Sequence, residues 1–274
     1  GKVGIGTTEP THKLDVNGTS MFRDVLYIHN QYPIQFANGQ TILDNSGGGL
    51  RMQSLYSLQL QSGAGGDGSI KLYTGSNVAG ANERVRIDGS GNVGIGTTEP
   101  GAKLEVNGLV KAGTNYYNVL TYNYNETPTN GVKIKTNIPF SSGSQMPTII
   151  IEGYAYSENS IGLILNWYVY NDIFYYSNIA SFGSYTPTIK LARENGKVVI
   201  FIDDKGYYHR FSVRAFAQGM SETPDWFNSW TTADEAITGD KVASVPYRNR
   251  FVGNVYTPGS GIWNSAGNVG IGTT

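Results

Sequence analysis

The chain has 274 residues and a formal net charge of -1. Length allows one or two domains, and a near-neutral charge excludes the basic face that nucleic-acid binding requires. Charged residues make up 15% of the sequence and glycines number 36, a balance that suits a fibre better than a cytosolic enzyme. No cysteine is present, which rules out disulfides and thiol chemistry. No apolar run approaches the roughly 20 residues of a membrane span.

VGIGTTEP occurs at residues 3–10 and again at 93–100, and VGIGTT stands at 269–274. The first two copies extend to GKVGIGTTEPTHKLDVNG at 1–18 and GNVGIGTTEPGAKLEVNG at 91–108. Val3 and Ile5 alternate with Gly4 and Gly6. One strand face therefore carries branched apolar groups, and the other carries hydrogens that let a second backbone come close. Glu9-Pro10 ends the strand, since proline offers no ladder donor. Leu14 and Val16 form a second short strand, closed by Asn17-Gly18, and the pair reads as a small hairpin. Such a hairpin is marginal alone. With no adequate single-chain core for Val3, Ile5, Leu14 and Val16, the pattern predicts other copies of the chain packed around one axis.

Short apolar runs follow at 25–28, at 32–36 across Pro33, at 41–43, and around Leu58 and Leu60, then Ile70 and Leu72. A spacing of roughly ten residues predicts many short strands and no helix. Val85 and Ile87 lead through Asp88-Gly89-Ser90-Gly91 into the second copy, and Ile262 and Trp263 lead in the same way into the third.

The segment from about Gly113 to Pro258 differs in character, with longer strands and dense aromatics. Strong β runs lie at 148–156, 161–170 and 173–180. Residues 189–194 and 197–202 flank Asn195-Gly196, a hairpin signal. With 132–136 and 207–217 these make about seven antiparallel strands, enough for a β-sandwich or jelly-roll-like domain. Residues 221–237 break the pattern as a long loop, with one helical turn opened by Pro224.

The unit at 91–108, its copy at 1–18 and the partial copy at 267–274 resemble the V-G-I-G-T-T-x-P…K-L-x-V-x-G repeats of bacteriophage tail fibres and related receptor-binding adhesins. The resemblance covers a small part of the chain. It implies a homotrimeric fibre with β-rich shafts and globular knobs that touch the host surface. Many members end in a self-cleaving chaperone, to which nothing here corresponds. The span 118–256 is also similar to knob regions beside such repeats. The expected fold class is all-β: a trimeric β-rich fibre shaft with an inserted β-sandwich, jelly-roll-like knob. Its divisions are shaft 1–112, knob 113–258 and resumed shaft 259–274. The chain starts within one copy and stops within another, and is expected to be a fragment joined to the rest of the fibre at both ends.

Hydrolysis of a glycan would need two facing carboxyl groups. Glu222, Asp225, Asp234 and Glu235 are close in the long loop, and Asp203 and Asp204 fall in a hairpin turn, where aspartate suits local hydrogen bonding. The ordinary role for all six is a solvated turn or cap. His12, His29 and His209 are far apart and form no zinc-ligand spacing, while a calcium site at Asp203-Asp204 stays open. No G-x-S-x-G elbow or phosphate loop appears. No cofactor or metal is expected.

Aromatics carry the stronger signal. On 161–170, Ile161, Leu163, Leu165, Trp167 and Val169 share one face, while Ile164, Tyr168 and Tyr170 share the other; Tyr154 and Tyr156 follow the same pattern. Tyrosine combines apolar area with a polar tip, which suits binding surfaces and trimer interfaces alike. Trp226, Phe227 and Trp230 lie in the long loop, where no strand alternation demands them. Two readings compete: the loop meets a receptor, with Asp225 and Asn228 taking sugar hydroxyls, or it folds back to plug the knob.

The expected function is attachment of a phage tail fibre to a host surface receptor, a glycan or a surface protein, by binding and not by catalysis. The expected location is the virion, outside the cell, with no insertion into a membrane. The expected receptor residues are Trp226, Trp230, Asp225, Phe227, Asn228, Tyr154 and Tyr156. The alternatives are a fibre-borne polysaccharide depolymerase, a purely structural spacer, and a fibre of a bacterial injection particle or a bacterial adhesin.

Overall fold

A computed structural model describes residues 1–20, 60, 68–74, 83–143, 146–156, 159–218 and 221–249. The chain divides into two compact units, Gly1–Leu60 and Gln61–Thr274. The fold is all-β, and among the described residues the helical content is a single 3-10 turn at Pro224–Phe227. The runs expected at 25–28, 32–36, 41–43 and around Leu58, together with the third copy of the repeat, lie outside the described residues.

In the first unit, β1 (Val3–Ile5) pairs with β2 (Leu14–Val16) in parallel, not as the hairpin that the sequence suggested. Val3 donates its N–H to the Lys13 carbonyl at 2.9 Å, and Asn17 donates to Ile5 at 2.9 Å. Glycine permits this reversal. A Cβ built on Gly4 would lie 2.6 Å from the Thr7 carbonyl oxygen, so the loop folds directly over the strand it has just left. Gly6, at φ +72°, turns the chain where an L side chain is strained. The hydrogen-only face thus receives the repeat's own loop. Asp15 ties the loop down by accepting from the Thr11 N–H at 2.8 Å.

The second copy repeats this in the second unit. β3 (Ile70–Tyr73), β4 (Glu83–Ile87) and β5 (Val93–Ile95) run antiparallel, and β6 (Leu104–Val106) joins β5 in parallel. Gly94 faces the Thr97 carbonyl, and Glu105 accepts from the Gly101 N–H at 2.8 Å, as Asp15 does in the first copy. Asp88 organises the lead-in turn, its Oδ1 accepting the N–H groups of Ser90 and Asn92 at 2.8 Å each. Several branched residues stay largely uncovered, Leu14 at 58% exposed and Leu104 at 61%, while Val16, Val93 and Val106 are half-buried.

Residues 110–244 form two larger sheets. The first, in the order β12-β11-β10-β15-β8-β7, contains β7 (Val110–Ala112), β8 (Asn115–Asn123), β10 (Thr148–Ala155), β11 (Asn159–Tyr170), β12 (Ile173–Ser181) and β15 (His209–Phe216). The second, in the order β16-β9-β14-β13-β17, contains β9 (Val132–Pro139), β13 (Thr188–Glu194), β14 (Lys197–Asp203), β16 (Thr231–Ala233) and β17 (Asp240–Ser244). Strand β7 lies within the span assigned to the shaft but pairs with β8 in this sheet. Asn195 and Gly196, both at positive φ, form the expected two-residue turn between β13 and β14. A hairpin turn was expected at residues 203–206; instead residues 204–208 cross from β14 in one sheet to β15 in the other.

One core serves both sheets. Ile149, Ile151, Leu163, Leu165, Trp167 and Val213 meet Ile134, Ile138, Ile189, Leu191, Val198 and Ile200. Alternation decides who enters, since residues two apart share a face. Gly153 lets β10 and β15 close up, because a Cβ there would lie 2.0 Å from the Arg210 carbonyl oxygen.

Gly94→Ala should cost about 1–3 kcal/mol through overpacking against the Thr97 carbonyl. Gly101→Ala, whose Cβ meets nothing closer than 3.6 Å, should cost little. Hydrogen exchange at the Val93 and Asn107 amides checks this. Both should lose protection in the Gly94 variant alone; equal protection in both variants would contradict the packing described.

Candidate functional site

The long loop turns inward. Pro224 begins the 3-10 turn, and the Phe227 side chain that follows is fully buried, stacked on Tyr116 at 4.3 Å. Trp230 is 5% exposed, and its indole N–H donates to the Trp226 carbonyl at 2.7 Å. Trp226 packs against the core beside Ile138, Trp167 and Val169, leaving a space of only about 10 Å³. Asn137 clamps the loop by donating to the Asn228 carbonyl at 2.8 Å. This corrects the assignment of Phe227 and Trp230 to a receptor surface: their rings are buried in the core shared by the two sheets. An open sandwich end gains more from covering its core with such rings than the loop gains by exposing them. Asp225 and Asn228 remain exposed, but without those rings beside them. Trp230 keeps one edge on a cavity of about 460 Å³ shared with Asn107, Asn118 and Thr121.

The carboxylates singled out in the sequence go to separate places. Asp234 accepts the N–H groups of Thr129 and Asn130 at 2.7 Å each, and these hold its pKa below the usual range. Glu235 pairs with Lys135 at 2.8 Å. Asp203 pairs with Lys190 at 2.6 Å, while Asp204 turns to Tyr185, so the two do not converge on one cation. Buried Lys133 lies 3.2 Å from Glu194. Burial opposes ionisation of Glu194, but the Thr238 N–H and the Lys133 ammonium outweigh it and lower the pKa.

Tyr154 and Tyr156 do meet partners. Tyr154 stands near the C-terminal end of β10, opposite Arg210 of β15, and Tyr156 follows just past that end. The crossing loop delivers Tyr207 and Tyr208 beside them. The Tyr156 and Tyr207 rings are 5.4 Å apart, Tyr154 and Tyr208 6.4 Å, and Tyr207 and Tyr208 5.5 Å. The Tyr156 N–H donates to the Tyr208 carbonyl at 3.2 Å, stitching loop to strand. Arg210 lies over the Tyr208 ring at 4.5 Å and donates to the Tyr208 hydroxyl, to Asn125 at 2.6 Å and to Asn123. Its Nε has no hydrogen-bond partner among the described residues. Tyr156 is 63% exposed and Tyr207 50%. The result is an open aromatic platform edged by two amides and a guanidinium.

Half-buried Asp204, with buried Tyr185 and His209, braces the crossing loop. Asp204 accepts the Tyr185 hydroxyl at 2.5 Å and the Gly206 N–H at 2.8 Å, and lies 3.4 Å from the His209 ring. Burial, reinforced by Asp204, drives the Tyr185 hydroxyl pKa far up, so it stays a donor. Burial lowers the His209 pKa, with Asp204 in partial opposition. Sequence reading named Tyr154 and Tyr156 but missed Tyr207, Tyr208 and Arg210. The local signal was the Tyr207-Tyr208 pair beside a glycine, preceded by an Asp-Asp turn.

Among the described residues no helix is long and apolar enough to cross a membrane. Comparison with protein-family models, with curated proteins and with solved structures finds no match.

Truncating Phe227 to alanine should cost about 3–5 kcal/mol, whereas Asn228→Ala should stay within about 0.5 kcal/mol; denaturant melts of the two variants check the order. The pH dependence follows from His209. Its folded pKa is depressed, so an unfolded chain takes up the proton near pH 6.5 while the folded one resists. Its contribution is complete above that pH and is lost as pH falls toward the folded value, by at most about 1.4 kcal/mol per pH unit. Melting temperature should therefore fall between pH 7 and pH 5, with a shallower fall in His209→Gln; identical slopes would contradict the buried neutral imidazole.

Proposed function

We propose that this chain is part of a homotrimeric fibre of the bacteriophage tail-fibre type, and that its knob attaches to a glycan on a host cell surface by binding without catalysis. The observation that carries this is the platform of Tyr154, Tyr156, Tyr207 and Tyr208. Exposed tyrosine rings offer apolar faces to the C–H face of a sugar, and Arg210, Asn123 and Asn125 offer polar groups to its hydroxyls. Placement on strand ends and a loop braced by Asp204 makes the surface preorganised, which lowers the cost of binding.

The fibre reading rests on the repeats. Val3, Ile5 and Leu14 in one copy and Ile95 and Leu104 in the other are exposed within a single chain. Copies of the chain around a common axis would cover them, at about 25 cal/mol per Å² of apolar area removed from water. The knob is then a β-sandwich of the jelly-roll kind. The nested pairs β8 with β15 and β9 with β14 support that description. The assembly works outside the cell as part of the virion.

Tyr154→Ala combined with Tyr156→Ala should abolish binding to host cells or their surface glycans while the melting temperature stays within a few degrees. Wild-type binding by this variant would remove the platform from the site. Light scattering during size exclusion should give three chain masses for both proteins. A folded monomer at micromolar concentration would overturn the fibre reading.

A further inference from the structure

The opposite end of the same sheet face carries a second group of tyrosines, separate from the platform. Tyr168 and Tyr170 leave the outer face of β11, and Tyr175 and Tyr176 come from β12; the four line a cavity of about 300 Å³. Simple alternation would send Tyr175 and Tyr176 to opposite faces. A bulge prevents this. Asn166 pairs with Asn178 and Tyr168 with Tyr175, so Tyr176 and Ser177 stand against Trp167 alone. Tyr176 takes φ +53°, a backbone conformation rare for an aromatic residue, and the Asn178 side chain holds it by donating to the Tyr176 carbonyl at 2.9 Å. Tyr176 is 75% exposed as a result. Strain held in place by a specific hydrogen bond is characteristic of functional positions.

The rings stand at different angles around the cavity. Tyr168 and Tyr170 are nearly parallel, 6.2 Å apart; Tyr170 and Tyr175 are inclined at 61°, and Tyr175 and Tyr176 at 50°. Among the described residues the lining contains no amide, carboxylate, guanidinium or ammonium side chain. The nearby charges are matched among themselves, Asp172 and Asp240 with Arg193, and Asp172 with Lys241. A sugar needs several directed partners for its hydroxyls; the platform offers amides and a guanidinium, and this cavity offers tyrosine hydroxyls. A primary ammonium would exchange its hydration for neutral tyrosine hydroxyls, with no carboxylate among the described lining residues. A cation with an alkyl shell needs neither, and it is attracted by the negative faces of several rings at once. We propose that this cavity is an aromatic cage for a trimethylammonium group of the kind carried by choline. The proposal does not depend on the attachment reading.

Calorimetric titration with choline tests it, beside the neutral isostere 3,3-dimethylbutan-1-ol. Choline should bind saturably, and the isostere should bind about tenfold or more weakly, since the charge supplies the attraction. Tyr170→Ala with Tyr176→Ala should lose choline binding. Tyr176→Phe should keep it, because the ring face and not the hydroxyl is used. Tyr154→Ala should leave it unchanged. Co-sedimentation with phosphatidylcholine vesicles adds a second arm: vesicle binding supports a lipid-borne group, and choline binding without vesicle binding supports a group on a soluble or polymeric molecule. Equal binding of choline and its isostere, or no saturable choline binding at tens of millimolar, overturns the proposal.

Discussion

The period-two alternation of β10 and β11 governs both the core and the surface of the knob. Burying Ile161, Leu163, Leu165, Trp167 and Val169 on one side of β11 places Ile164, Asn166, Tyr168 and Tyr170 on the other. Register then carries the pattern across the sheet. Tyr154 lies opposite Ser160 on one neighbour and Arg210 on the other, while Tyr168 lies opposite Tyr175. A slip of one residue would expose the apolar set and bury the tyrosines, so the core's free energy also fixes the position of every ring on the outer face. The middle of that face is closed by the Glu152–Arg214 pair, in which Arg214 lowers the Glu152 pKa. The two tyrosine groups thus stay apart.

Close backbone approach is the second constraint. Gly153 admits β15 to within contact of β10, and Gly4 and Gly94 admit the loops of their own repeats. In the repeats this produces a parallel pair joined by a short loop, where parallel strands ordinarily need a crossover of a dozen or more residues. The compact result leaves Val3, Ile5, Leu14, Ile95 and Leu104 exposed. Apolar groups displayed in this regular way are the structural ground for reading the repeats as parts of a larger assembly.

Much of this was legible in the sequence, and the omissions have physical causes. The strands at 148–156 and 161–170 announced themselves by alternation, the β13–β14 turn by Asn195-Gly196, and the 3-10 turn by Pro224. Strand β8 was missed because a bulge at Asn118, at φ +58°, breaks its alternation in mid-strand. The parallel pairing in the repeats was missed because two branched residues specify a strand but not the direction of its neighbour. The loop of Trp226, Phe227 and Trp230 showed where aromatics concentrate but not which way they point, and burial settled that. Tyr207, Tyr208 and Arg210 could not be joined to Tyr154 and Tyr156 from spacing, because a loop that crosses between sheets brings them together.

The trio of Asp204, Tyr185 and His209 links stability to the surface. Asp204 holds the crossing loop through Tyr185 and Gly206, and the same loop presents Tyr207 and Tyr208. A platform built in this way has little ordering left to do when a ligand arrives. Hydrogen exchange of the chain with and without host surface polysaccharide tests the central claim most directly. The account predicts added protection at residues 153–156 and 205–211, with residues 224–230 unchanged. Protection confined to residues 224–230 would contradict it.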